Sequence, residues 1–307
     1  MAMSASSIED VILTNDRRGM RHLRRFLPVD YCTRAAWALH GACSRVLVVS
    51  GFHVNQKCET DGPPGAIALA RAIRMLGGQA LLVSDGHAAR VLADLDDAPL
   101  IYLQDFLANT DFAMRALHDG RGVICAPCGE SAAASDKLAG RLRAAVEPSA
   151  VVAVERCGLS TDGTYRNMLG EDISAVTARL DALFSDTLSI GVGDGGNEIG
   201  MGTLAEHCLE TDVTRWPCVT RVLFPVISSV SNWGAWGICA GMSIRSGKRL
   251  LPTESETMSI LKRIVELEGV DGVTRQRHAT VDGRSAEESN HVLRQLHALV
   301  EAGMPRS

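Results

Sequence analysis

Aromatic side chains are scarce in this sequence, 4% of 307 residues, and the scarcity argues against an aromatic-rich β-sandwich. Alanine, leucine and valine abound instead, which suits helices packed over a buried parallel sheet. Long apolar runs are missing too. The longest, residues 46–49 and 222–230, are strand length and fall short of the about 20 residues that span a bilayer, so no membrane partner is expected. Positive charge is not in excess: the formal net charge of -5 argues against a polyanion ligand, and no nucleic-acid partner is expected. The most basic stretch, Arg17, Arg18, Arg21, Arg24 and Arg25, has helical spacing and is expected to be a solvated helix face. Residues 1–10 lack the basic and apolar blocks of a secretory leader, so a cytoplasmic location is expected. The nine cysteines, an odd number, suit a reducing compartment. Cys125 and Cys128 form a CxxC with no second pair nearby, and burial is expected of them rather than zinc or redox work.

What is present is a rhythm of strands and helices. A hydrophobic content of 46% supports a large core, and one catalytic-type domain over residues 1–307 is expected, with a helical region over 1–43. Residues 46–50 read as a continuous β-branched strand, followed by a helix over 66–76 that Pro63 and Pro64 introduce and Gly77-Gly78 stop. The unit recurs: strands over 80–83, 100–103, 123–125, 151–154, 188–192 and 222–227, with helices over 88–95, 112–117, 132–146 and 175–184. A small-residue helix over 235–244 follows, with Ser231 or Asn232 as its N-cap, and then helices over 255–267 and 286–299 separated by a strand or hairpin over 274–282. The fold class is α/β: a mostly parallel or mixed sheet with helices on both faces, a Rossmann-like three-layer arrangement.

The run Gly191-Val-Gly-Asp-Gly-Gly-Asn-Glu-Ile-Gly-Met-Gly202 sets Asp194, Asn197 and Glu198 among glycines that permit close approach to a ligand. It leaves a strand, and so do three other polar loops: Glu59-Thr60-Asp61-Gly62, Glu155-Arg156 and Ser231-Asn232. In open parallel sheets the ligand crevice lies beyond the carboxyl ends of the strands, so all four loops have one address. Taken singly, Asp61 suits a helix cap, Glu155-Arg156 a local ion pair and the glycine run a tight turn. Together, Glu59, Asp61, Glu155, Asp194 and Glu198 would crowd several carboxylates into one place, where a divalent cation relieves the repulsion. Oxygen-only ligation selects Mg2+ or Mn2+ over zinc. The amides at Ser231 and Asn232 are candidates for anchoring an anionic substrate.

These four segments, in this order, resemble the D-glutamate cyclase family over most of the chain. The resemblance implies conversion of D-glutamate to 5-oxo-D-proline and water by a hydro-lyase, with manganese as the associated metal. It is loose over 269–283, where Arg275, Gln276, Arg277 and His278 interrupt Val-Asp-Gly elements, and substrate preference is expected to differ there. On this reading Glu59, Asp61, Asp194 and Glu198 hold the metal, with Asp194 and Glu198 also catalytic. Glu155 is the base, Arg156 grips the α-carboxylate, and Thr60, Asn197, Ser231 and Asn232 complete the substrate site. The expected partner is D-glutamate or a similar small amino acid, and a homo-oligomer is allowed.

Three other classes remain open to the same residues. A metal-dependent phosphoester hydrolase would use the same carboxylates. A pyridoxal phosphate enzyme needs a lysine, and of Lys57, Lys137, Lys248 and Lys262 only Lys57 lies beside a candidate loop. A non-catalytic nucleotide-binding protein would want a G-x-G-x-x-G start and a ribose-binding acid, and the glycine run lacks them.

Overall fold

The structure, a computed structural model, describes residues 7–117 and 120–304; the opening of the N-terminal segment read above, residues 1–6, lies outside it. Its central sheet is formed by β1 (Arg45–Ser50), β4 (Gln79–Asp85), β5 (Leu100–Tyr102), β6 (Val123–Ala126), β7 (Ala150–Val154), β8 (Leu188–Gly193) and β9 (Phe224–Ile227). The order is β5-β6-β4-β1-β7-β8-β9, and every pairing is parallel. β2 (His53–Val54) and β3 (Lys57–Cys58) form a short antiparallel hairpin that the sequence reading did not anticipate. Asn55 and Gln56 at its tip both have positive φ, the conformation of a two-residue hairpin turn.

The strands are apolar on both faces because both faces are covered. Val46, Val48, Val152 and Val154 point into one core with α1 (Ile8–Ile12), α2 (Tyr31–Gly41), α3 (Pro63–Met75), α9 (Ser231–Ser246) and α11 (Ala286–Gly303). Leu47, Val49, Val151 and Ala153 point into the other, against α5 (Leu103–Ala108) and α7 (Ala132–Val146). α4 (Gly86–Leu95) and α10 (Glu254–Glu266) form a smaller cluster with Cys58, Val91 and Ile264, while α6 (Thr110–Ala116) adds Ala113 to the second core and α8 (Ala205–Glu210) adds Cys208 to the first. The three-layer α/β arrangement expected from the sequence is therefore present.

α9 is buried along almost its whole length, which its small residues allow. A Cβ at Gly241 would sit 2.6 Å from Ala36 Cβ of α2, so α9 packs against its neighbours at a distance only glycine permits.

Three expectations are corrected. The helix expected over 175–184 is two single 3-10 turns, Ser174–Val176 and Asp181–Phe184. Between them Ala178 donates its N–H to Asp85 Oδ2 (2.6 Å) and its carbonyl accepts from Arg156 (2.7 Å), so tertiary partners take the groups a helix would use. Residues 274–282 form no strand or hairpin; they are a loop organised around Asp271, which accepts the N–H groups of Val273, Thr274 and Gly283 and the hydroxyl of Thr280. The N-cap of α9 is Val230, not Ser231 or Asn232, because Asp61 supplies the capping carboxylate from another loop.

β1 and β7 lie side by side, but the chain leaves β1 towards β4 and leaves β7 towards β8, on opposite sides. Outgoing loops diverge there and open a crevice at the strand ends. Ser50 pairs with Val154, so the loops carrying Glu59, Asp61 and Glu155 leave the sheet at one level.

Candidate active site

Each acidic side chain reaches the crevice by a different local device. Glu155 follows β7 directly and adopts a positive φ of 45°, a conformation costly for a residue with a Cβ. Gly62 makes room for it: a Cβ there would lie 2.8 Å from that of Glu155. Asp194 follows β8, and the glycine run turns back so that Ile199 N–H bonds Arg156 O (2.8 Å) and Gly158 N–H bonds Asn197 O (2.9 Å). This return lays Glu198 beside β8, where its carboxylate accepts the Asp194 N–H at 3.1 Å; a Cβ at Gly193 would meet Glu198 Oε2 at 2.7 Å. Glu59 is held by Val270, whose carbonyl accepts the Thr60 N–H (2.9 Å), and the same loop returns Asp282 beside it. A Cβ at Gly272 would begin 2.2 Å from Glu59 Oε2 and 3.4 Å from Asp282 Oδ1.

Six buried carboxylates therefore meet: Glu59, Asp61, Glu155, Asp194, Glu198 and Asp282. Ligand oxygens of Asp61, Asp194 and Asp282 lie within 4.8 Å of one another, as do those of Glu155, Asp194 and Glu198. Arg18 is the cation among them, bonded through Nη1 to Asp194 and through Nη2 to Asp282 Oδ1 (3.0 Å). Burial alone would lower its pKa, but Asp194, Asp282, Glu155 and Glu198 outweigh burial and raise it. The charge is not balanced. Burial, then Asp282 and Asp61, push Glu59 well above the usual carboxylate range; burial, then Glu198 and Glu59, do so to Glu155. Burial also raises Asp194, against the pull of Arg18. Asp61 is raised to about 7 by burial and Asp282, although the N–H groups of Asn232 and Ser231 oppose them.

Glu59 Oε1, Glu155 Oε2, Asp194 Oδ2, Glu198 Oε2 and Asp282 Oδ2 are buried without a hydrogen-bond partner. Buried oxygens so clustered and unpaired fit a hard divalent cation, and these clusters can hold one. A cavity of about 200 Å³ opens onto Glu59, Glu155 and Arg18, with apolar walls from Phe52, Val54, Met168 and Val273 and polar groups from Asn197 and Arg275.

A family profile described as D-glutamate cyclase-like, C-terminal, matches residues 8–297. The chain belongs to the D-glutamate cyclase-like family. The human protein named D-glutamate cyclase, mitochondrial, is 30% identical over 245 residues, 74% of this chain and 36% of that protein, so the chain spans about a third of its length. Among solved structures, RecJ in complex with Mn2+ from Thermus thermophilus aligns over 90% of this chain and 38% of its own at 12% identity, with a TM-score of 0.37. No described helix is long and apolar enough to cross a membrane.

In this D-glutamate cyclase-like chain the structure brings Glu59, Asp61, Glu155, Asp194, Asn197 and Glu198 to one place and directs four other candidates elsewhere. Arg156 is fully buried, with its fork committed to Asp85 (2.5 Å), Ala178 O (2.7 Å) and Gly51 O (3.0 Å), so it is not free to grip a substrate carboxylate. The N–H groups of Ser231 and Asn232 are taken by Asp61, at 2.8 Å each, and do not await an anion. Thr60 is buried behind the loop, its hydroxyl unpartnered, and does not line the cavity. Asn197 lines the cavity while its Nδ2 donates to Arg166 O (2.8 Å).

Two residues of the cluster lie outside the loops that the sequence points to. The helical spacing puts Arg18 on a solvated face, yet its side chain is 20% exposed and sits on Asp194. The signal was Gly19, which has φ 81° and breaks the apparent helix before the 3-10 turn Met20–Phe26. Asp282 falls at the end of the strand or hairpin expected over 274–282; the signal is Gly283 beside it, in a Val-Asp-Gly element like that at 270–272. Cys125 is buried as expected and Cys128 half-buried; all nine cysteines are free.

Proposed function

We propose that the carboxylate cluster holds Mn2+ or Mg2+ and that the chain closes D-glutamate to 5-oxo-D-proline with loss of water. The observation that carries this reading is Glu155: a buried carboxylate lining the cavity, with one oxygen unpartnered and a pKa raised by burial and by Glu198 and Glu59. Membership of the D-glutamate cyclase-like family supports the substrate class.

Closing the ring forms an N–C bond between the α-nitrogen and the γ-carboxyl carbon and breaks one C–O bond of that carboxyl. Of the three ammonium protons, one stays on the lactam nitrogen and two leave with the oxygen as water. A carboxylate with a raised pKa suits the transfer, since Glu155 is basic enough to take the ammonium proton and acidic enough to return it to the departing oxygen. Asp61, Asp194 and Asp282 would hold the cation, with Glu198 and Glu59 beside them. Held there, a cation would polarise the γ-carboxylate and compensate the charge that develops on it. Arg18 lines the cavity and, bonded to Asp194 and Asp282, supplies positive charge beside the bound substrate. The apolar wall of Phe52, Val54 and Met168 excludes water and favours a folded conformer of the substrate.

The test is incubation of metal-stripped and Mn2+-restored protein with D-glutamate and L-glutamate, with 5-oxoproline followed by mass spectrometry. The reading requires metal-dependent product from D-glutamate, and absence of product under all four conditions refutes it. A second reading has its own observation: Asp194 belongs to both carboxylate groups, an arrangement suited to two bridged cations and hence to phosphoester hydrolysis. Release of nitrophenol from a nitrophenyl phosphodiester would favour it.

A further inference from the structure

β6 leads through Gly129 and Glu130 into α7, at the same rim of the sheet as the carboxylate cluster but beside a different cavity. This second cavity, about 260 Å³, shares no lining residue with the first; its wall includes Glu130, Ala132, Ser135, Tyr165, Thr177 and Arg179. Three kinds of donor converge on it. The Ser131 hydroxyl caps α7 by accepting the Ala134 N–H at 3.3 Å, which leaves the N–H groups of Ala132 and Ala133 without helical partners at the positive end of a 15-residue helix. Thr177 is only 3% exposed, and its hydroxyl has no hydrogen-bond partner. Arg179 stacks its guanidinium over Tyr165, 5.7 Å from the ring centroid, and its buried Nε is also unpartnered. Glu130, the acidic group of the wall, is exposed.

A buried hydroxyl and a buried guanidinium N–H left unpaired beside a helix N-terminus want an acceptor, and donors arriving from several directions match a tetrahedral oxyanion better than a planar carboxylate. We infer that this cavity is a second binding site and that it takes a phosphate-sized oxyanion, free or as the phosphoryl group of a small metabolite. The site does not depend on the proposed reaction, since none of the six clustered carboxylates lines it. It is nonetheless tied to that region. Ala178, between Thr177 and Arg179, is clamped by Asp85 and Arg156, and Arg156 follows Glu155 in the chain.

The experiment is thermal melting of the metal-stripped full chain in EDTA, titrated with inorganic phosphate against potassium chloride at matched ionic strength. The site requires that phosphate raise Tm beyond chloride and that Arg179→Gln and Thr177→Val each weaken the apparent affinity about tenfold or more. Asp194→Asn, in the other cavity, retains the phosphate response. Thr177→Val keeps the side-chain shape, and its melt in chloride reports its folding, so the test survives a poorly folded Arg179→Gln. No shift beyond chloride, or a shift that persists in both variants, overturns the assignment. Glycerol phosphate binding more tightly than inorganic phosphate would support the site with a metabolite as occupant, and weaker binding would support it with the free anion.

Discussion

Asp61 and Asn232 cap each other's helices. Asp61 Oδ1 accepts the Asn232 N–H at 2.8 Å and its Oδ2 the Ser231 N–H at 2.8 Å, closing the N-terminus of α9. In return, Asn232 Oδ1 accepts the N–H groups of Gly62 and Gly65, at 3.1 and 2.8 Å, where α3 begins. The exchange fixes the loop that carries Glu59 and Asp61 against the helix that packs on β8, so metal-site geometry and core packing share one joint.

Asn232→Ala strips the acceptor from the buried Gly65 N–H, while the Gly62 N–H keeps Asp61 Oδ1 at 3.0 Å. Stability should fall by about 1–3 kcal/mol, the cost of one unsatisfied buried group. Urea unfolding checks it. Because the Asn232 N–H faces Asp61 rather than a ligand, a variant that weakened substrate binding at unchanged stability would contradict this placement.

Arg18→Met removes the cation between Asp194 and Asp282 and leaves their repulsion uncompensated. The metal-free variant should melt below wild type near neutral pH, and Mn2+ should narrow the gap by supplying the missing charge. Calorimetric melts with and without Mn2+ read this. An Arg18 on a solvated face would change neither.

Stability of the metal-free protein should fall as pH rises from about 4 to about 7. Asp61 carries the argument: burial and Asp282 raise its pKa from 3.8 to about 7 in the folded protein. Below both values each state holds the proton and nothing is lost. Between them the unfolded chain ionises while the folded one does not, so each step up in pH favours unfolding, and the loss levels off above the folded value. Glu59, Glu155 and Asp194, raised mainly by burial, act in the same direction. A melting series in EDTA across this range should slope downwards, and Mn2+ should flatten it at the alkaline end. A rise in stability across the range would contradict the cluster.

Gly241→Ala tests the fold apart from the site. Its added methyl would meet Ala36 Cβ at 2.6 Å between two buried helices, so α2 and α9 must separate at a cost of about 1–3 kcal/mol. Chemical denaturation gives the number, and a neutral result would show that the α2–α9 contact is looser than described.

The sheet was legible because residues 46–49 and 151–154 are continuous apolar runs and 188–192 is broken only by Ser189, as a doubly covered parallel strand allows. Glu59, Asp61, Glu155, Asp194 and Glu198 were legible because each follows a strand, and strand ends of a parallel sheet share one rim. Arg156 misled by adjacency: successive residues leaving a strand point to opposite sides, so with Glu155 in the cavity Arg156 turns to Asp85 behind it. Arg18 and Asp282 lie outside the repeating strand-helix units. Their arrival depends on loop geometry, a glycine turn at Gly19 and the Asp271 hub, and hydrophobic periodicity carries no record of either.

The most direct measurement is a Mn2+ titration of the metal-stripped protein followed by electron paramagnetic resonance of the free ion, in wild type and in Asp194→Asn. Asp194 is common to both carboxylate groups, so the account predicts saturable uptake by wild type and loss of most of that affinity in the variant. Equal uptake by the two proteins, or none by either, would contradict it.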